Sequence, residues 1–320
     1  MDRSNTYKEP AKLLAIETAT FEVAAAVVSG DDLLGSLSYQ TGQRHVEELF
    51  PMIDELLETT GCPAGDLDGI VVDIGPGLFT GLRVGIAAAK VMAYGLSKVV
   101  IPITGTVVLA EALKQKILAE HQAVLADVPQ TVLIITVLDI RRGEVAFEMS
   151  SLVLHNSTIQ NDRSGHTDTS FTNNGDYITD QEDFLKRELA TGNLQIATPE
   201  LFSQYLKKIT GQIISYQNNV VSRDKDTKAY SKNWKVVVGG SGIVRYRDVI
   251  ERDFKETSDF VRDHLIICDE PNVPPVDVLA QLGHKSFIRG DYVQPSLVKP
   301  IYLREADAKA GAWKGAAAKP

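Results

Sequence analysis

Between residues 12 and 120 the apolar residues change their period in a set order, and that order limits the fold more than any other feature of the chain. Three strand-like runs come first, Lys12–Thr20, Phe21–Gly30 and Leu33–Gln40, with the turn signal Gly30-Asp31-Asp32 between the second and third. A helical run follows over 44–61, with Val46, Leu49, Phe50, Ile53, Leu56 and Leu57 at helical spacing and Gly61 as its stop. Pro51 lies inside it and predicts a kink or a restart, because it removes the hydrogen bond to the Glu47 carbonyl. A strand (Gly69–Gly75), a helix to about Leu96, a strand (Val99–Ile103) and a helix (Thr106–Glu120) complete the order βββαβαβα.

The same kinds of element then begin again. "TVLIITVLD" (Thr131–Asp139) is an apolar strand that pairs with "GEVAFEMSSLVL" through an Arg141-Arg142-Gly143 turn. "WKVVVGGSGI" (Trp234–Ile243) precedes a helix over Arg245–Arg252, and "HLIICD" precedes another in "VDVLAQLGHKSFIRG". The stretch from His155 to Asn233 is polar and reads as long loops or insertion around one helical piece, "TPELFSQYLKKITG". The small, polar last residues read as a frayed tail.

The chain has 320 residues, 44% of them hydrophobic, enough for two lobes with sizeable cores. Its net charge of −9 lacks the basic footprint of a protein that grips nucleic acid by itself. Two distant cysteines, Cys62 and Cys268, make neither a disulfide framework nor a zinc site. Neither a secretory h-region nor a membrane-length apolar run is visible, so a cytoplasmic protein is expected.

The turn "IGPGLFTGLRVG" (Ile74–Gly85) joins a strand to a helix, as phosphate-binding turns do. It has no Gly-Lys-Ser/Thr ending and no dinucleotide spacing of glycines, so neither nucleotide motif is present. Thr80 reads as an N-cap. Gly81, Gly85 and Ala89 recur every four residues and make a smooth helical stripe. Glycine inside a helix costs about 1 kcal/mol against alanine, so two of them imply close packing. The stripe can pack against an element of its own chain or against a helix of another.

Two halves with this order resemble the duplicated ribonuclease-H-like fold of the actin-like (ASKHA) superfamily, a two-lobed α/β architecture with mixed sheets. "LLAIETAT", "RHVEELFPMIDELL", "GPGLFTGLRVGIAAAK", "LDIRRGEVAF" and the terminal "PIYLR" together resemble the TsaB (YeaZ) family. That resemblance implies a partner-binding N-terminal lobe over 1–115. It implies a second lobe over 116–290 with the polar insertion at about 155–233, a closing segment over 291–305 and a tail over 306–320. The family implies a non-catalytic subunit that supports TsaD, with the ATPase TsaE, in threonylcarbamoylation of adenosine 37 of tRNA. TsaD-like proteins carry two histidines one helical turn apart, and Val108 and Ala112 stand at those positions here. Neither can hold a metal.

The implied partners are a TsaD-like subunit and a TsaE-like ATPase, with a homodimer when the chain is alone and tRNA as substrate of the complex only. The implied interface comprises His45, Val46, Leu49, Phe50, Ile53, Phe79, Thr80, Gly81, Arg83, Gly85 and Ala89. On that reading Gly85→Arg blocks the partner and leaves the monomer folded. No cofactor is required. Glu17, Thr18, Thr20, Gly239 and Gly240 stand where nucleotide-using relatives contact phosphates and adenosine, and Asp139 can face the cleft between the lobes; all six could serve a weak adenine nucleotide or simply shape turns. An independent nucleotide-dependent phosphotransferase or ATPase is the competing function.

Overall fold

A computed structural model of the protein describes residues 10–40, 45–120, 130–154, 193–223, 234–252 and 264–303. The expectations for the tail over 306–320 and for most of the insertion, 155–192 and 224–233, lie outside the described residues. The first lobe holds β1 (Lys12–Glu17), β2 (Glu22–Ser29), β3 (Asp32–Gln40), α1 (His45–Thr59), β4 (Gly69–Asp73), α2 (Phe79–Gly95) and β5 (Val99–Ile103). The helix α3 (Gly105–Glu120) leads to the second lobe, with β6 (Gln130–Asp139), β7 (Val145–Leu154), β8 (Gln195–Ala197), α4 (Pro199–Arg223), β9 (Trp234–Gly239), α5 (Ser241–Arg252) and β10 (Leu265–Cys268). The helix α6 (Val276–Arg289) closes the order.

Each sheet has five strands, in the orders β3-β2-β1-β4-β5 and β8-β7-β6-β9-β10. In each, the first strand of the set pairs antiparallel with the second and parallel with the fourth. The second sheet therefore repeats the topology of the first, which is the duplicated, actin-like α/β arrangement.

Alternation along the strands divides the cores. Leu14 and Ile16 of β1, with Ile70 and Val72 of β4, face α1 and α2, while Leu13, Ala15 and Val71 face α3 and α6. Successive strand residues point to opposite faces, so a sheet covered by helices on both sides needs apolar residues at every position. The helix α3 is shared: Val108 and Ala112 pack into the first lobe, and Leu109, Leu113 and Ile117 into the second.

Three expectations change. The helix α1 runs unbroken through Pro51, whose side chain is exposed. The carbonyl it orphans belongs to exposed Glu47, where water can satisfy it. The helix α6 packs on the first sheet, with Gly283 set so tightly against Val71 that a Cβ would overlap it, so residues up to 290 do not all belong to the second lobe. Part of the polar stretch is core: α4 buries Phe202, Leu206, Ile209 and Ile213 beneath the second sheet, and β8 extends that sheet. Ile209→Val is expected to cost about 0.5–1.5 kcal/mol in urea denaturation. No change there would mean that α4 is not part of the core.

Candidate functional site

The ends of β1 and β4 meet the start of α2, and there lie Glu17, Thr18 and the candidates on α2. Strand β1 delivers Glu17 and Thr18 into the interior, 1% exposed each. Thr18 donates its hydroxyl to the Gly81 carbonyl at 2.8 Å. A Cβ on Gly85 would overlap that same hydroxyl. The smooth stripe of Gly81, Gly85 and Ala89 thus faces the interior of its own lobe, and all three are buried. Leu49 and Ile53 are buried as well, at 0% and 1%. These five residues are core, because the close packing that glycine permits is taken up by Thr18 and the first sheet. They cannot meet a partner without unfolding, and Gly85→Arg is now expected to break the fold.

The outward face is a different set. Phe79, Thr80, Arg83, Ala87, Val91 and Tyr94 are exposed on α2, and Val46 and Phe50 on the adjacent α1. Steps of four, four, four and three residues from Phe79 through Arg83, Ala87 and Val91 to Tyr94 keep one helical face. Val46, Phe50, Phe79, Thr80 and Arg83 are therefore the interface candidates that remain accessible. The side chain of His45 lies outside the described residues. Thr80 does not cap α2: the N-cap is Leu78, without a side-chain cap, and Thr80 falls in the first turn.

A closing segment buttresses this corner. The Ile301 amide donates to the Ile74 carbonyl at 2.8 Å, and the Lys90 ammonium donates to the Val298 carbonyl at 3.2 Å. Arg83 Nε donates to the Tyr302 hydroxyl at 2.9 Å while its guanidinium lies 3.6 Å from the Phe79 ring centre. The two rings are 5.2 Å apart. Arginine stacked on aromatic rings holds a fixed pose at low entropic cost.

The turn after β4 is tied down by Asp73, whose Oδ1 accepts the Gly75 amide at 2.6 Å. Glu17 Oε1 accepts the Ala19 amide at 2.8 Å. Burial, then the neighbouring Asp73 charge, pushes the Glu17 carboxyl well above the usual range. Burial raises Asp73 too, opposed by the Glu17 side chain and by the Gly75 and Gly105 amides close by. Sequence reasoning missed Asp73, because nothing in "VVDIG" marks which strand end it shares.

Between the lobes is an open cleft bordered by Thr20, Phe21, Pro76 and Leu78 on one side and Asp139, Arg141, Ser241 and Arg245 on the other. Asp139 pairs with Arg141 at 3.6 Å and Arg245 at 3.3 Å. Arg141 and Arg142 both hold positive φ, 67° and 60°, in the turn that brings Arg141 to the rim. Of the six nucleotide candidates, Thr20 and Asp139 reach this cleft. Glu17 and Thr18 are turned inward. Gly239 and Gly240 serve packing: their α-carbons press on Leu113 and on Leu109 and Val137, where a Cβ would clash. The contact set read from the sequence is thus dispersed. Val108 and Ala112 are buried in apolar packing on α3. Among the described residues no group of three or more His, Cys, Asp and Glu could hold a metal, and no helix is long and apolar enough to cross a membrane.

Comparison with known proteins agrees with this architecture. The family model of TsaD, tRNA N6-adenosine threonylcarbamoyltransferase, matches residues 37–145. The tRNA threonylcarbamoyladenosine biosynthesis protein TsaB of Haemophilus influenzae is 31% identical over 137 residues, covering 42% of this chain and 52% of that protein. The tRNA N6-adenosine threonylcarbamoyltransferase of Geotalea uraniireducens is 38% identical over 109 residues, covering 29% of this chain and 31% of that protein. The matches to TsaB of H. influenzae and of Escherichia coli span 52% and 45% of those proteins, about half of their length. The crystal structure of YeaZ from Pseudomonas aeruginosa superposes with a TM-score of 0.54 at 17% identity, covering 92% of this chain and all of that one, and so shares the fold. Part of the chain is thus similar in sequence to TsaB and to TsaD proteins, and most of its length shares the fold of YeaZ.

Proposed function

We propose that this chain is a non-catalytic cytoplasmic subunit that holds a TsaD-like transferase, with a TsaE-like ATPase, during threonylcarbamoylation of adenosine 37 of tRNA. The observation that carries the reading is the outward stripe on α2 and α1. Tyr94 is 82% exposed, Val91 68% and Val46 63%, with Phe50 and Phe79 beside them at 44% and 43%. Aromatic residues and arginine, exposed side by side on rigid helices, are the composition of interface hot spots. Such a face suits a pair of helices on a partner of related fold, and two copies of this chain would use it when the partner is absent.

Apolar Val108 and Ala112, where the resemblance puts the histidine pair of TsaD, support a subunit that leaves the transfer to its partner. The chain requires no cofactor in this scheme. Thr20 and Asp139 leave the cleft at most a weak adenine-nucleotide contact, and tRNA is engaged through the complex. Titration of Mg–ATP into the chain is expected to show no saturation below about 1 mM, equivalent to roughly 4 kcal/mol of binding. Tight binding would favour the phosphotransferase reading instead.

The functional test is reconstitution of the modification from this chain, the TsaD-like and TsaE-like proteins of the same cell, and unmodified tRNA. Omitting this chain is expected to abolish modified adenosine. An undiminished rate without it would contradict the proposal.

A further inference from the structure

Glu17 Oε2 and Asp73 Oδ2 are both buried without a donor. The strands that carry them are parallel neighbours, with Ile16 opposite Val72, so the two carboxyls stand side by side one residue further on. Two facing acceptors in an apolar interior cost several kcal/mol if both are charged, and one proton between them satisfies both at once. The remaining oxygens are already used: Glu17 Oε1 holds the Ala19 amide and Asp73 Oδ1 the Gly75 amide.

What the pair touches gives it a role. Glu17 fixes the β1–β2 turn, from which Ala19 accepts the Leu78 amide at 2.6 Å. Asp73 fixes the turn before α2. Gly105, the first residue of α3, leaves no space for a Cβ against Asp73 Oδ2. One residue along, Thr106 donates to Glu148 of β7 at 2.5 Å, so the chain of contacts crosses to the second lobe. The groups facing the pair are each other and the Ala19, Thr20, Gly75 and Gly105 amides, with no other charged side chain, among the described residues, acting on either carboxyl.

We propose that Glu17 and Asp73 share a single proton that latches the seam between the lobes, and that losing it loosens the cleft rim and the start of α2. Glu17 carries the proton and donates it to Asp73. When the proton leaves to solvent, two carboxylates face each other and the turns they hold are pushed apart. The latch is a property of the chain by itself and does not rest on the docking reading.

The sign follows from linkage. The folded state binds the proton more tightly than the unfolded chain, so stability is full below the ordinary carboxylate range and is lost as pH rises through the raised value. Each pKa unit by which the folded state exceeds the unfolded one appears as about tenfold in the folding constant.

The test is urea denaturation of the full chain between about pH 5 and about pH 9, alongside Glu17→Gln and Asp73→Asn. An amide at either position can donate to its neighbour without titrating. The wild type is expected to lose at least about tenfold in folding constant across that range, and a folded amide variant to lose markedly less. Infrared spectra of the wild type supply a readout that needs no variant. A carboxylic-acid carbonyl band is expected to persist in the folded chain at about pH 7 and to vanish on unfolding. Absence of that band, or an unaltered pH slope in a folded amide variant, would overturn the latch.

Discussion

Gly85→Arg is expected to unfold the first lobe, at a cost of at least ~4 kcal/mol, visible as loss of the cooperative thermal transition and rapid limited proteolysis. The reason is local. Residue 85 points at Thr18, whose hydroxyl is committed to the Gly81 carbonyl, and even a Cβ would overlap that oxygen. A double-mutant cycle separates crowding from helix propensity. Gly85→Ala gains about 1 kcal/mol of propensity but meets the Thr18 hydroxyl, with overpacking worth about 1–3 kcal/mol. In a Thr18→Ala background that oxygen is gone, and the same change becomes neutral or stabilising. If Gly85→Ala has the same effect in both backgrounds, Thr18 is not what requires glycine.

The second large effect is on association. Val91→Arg with Tyr94→Arg places two bulky cations on the outward stripe of α2. Both positions are mostly exposed, so the stability of the chain is expected to stay within roughly 0.5 kcal/mol of wild type per site. Titration against a TsaD-like protein, the proposed partner, is expected to lose at least ~2 kcal/mol, about thirtyfold in Kd. The contrast with residue 85 distinguishes the two faces of one helix: inward changes destroy the fold, outward changes spare it and weaken binding.

Much of this was legible in the chain itself. The change of period from strands to helices, and its repetition, marks the five strands of the first sheet and four of the five of the second, because alternation and helical spacing are imposed by which face is buried, and the three-residue β8 is too short to show a period. The glycine stripe was correctly read as a demand for close packing, but spacing alone cannot say which surface does the packing. Thr18 answers that only once β1 and α2 are brought together in space. Val91 and Tyr94 could have been found by following the same helix on its opposite side, where an apolar residue and a tyrosine occupy positions a soluble helix usually gives to polar ones. The helical piece that carries Phe202 and Ile209 is legible from its spacing, but the polar stretch on either side of it does not reveal that it lies in the core of the second lobe. Asp73 was invisible for a different reason: a lone acid at a strand end gains meaning only from the parallel neighbour that supplies Glu17.

Sedimentation velocity of this chain mixed with the TsaD-like protein of its own cell tests the central claim most directly. The account predicts one species with the mass of a heterocomplex, lost when Val91 and Tyr94 are both arginine. Two independently sedimenting proteins at micromolar concentration, or a complex indifferent to those substitutions, would contradict it.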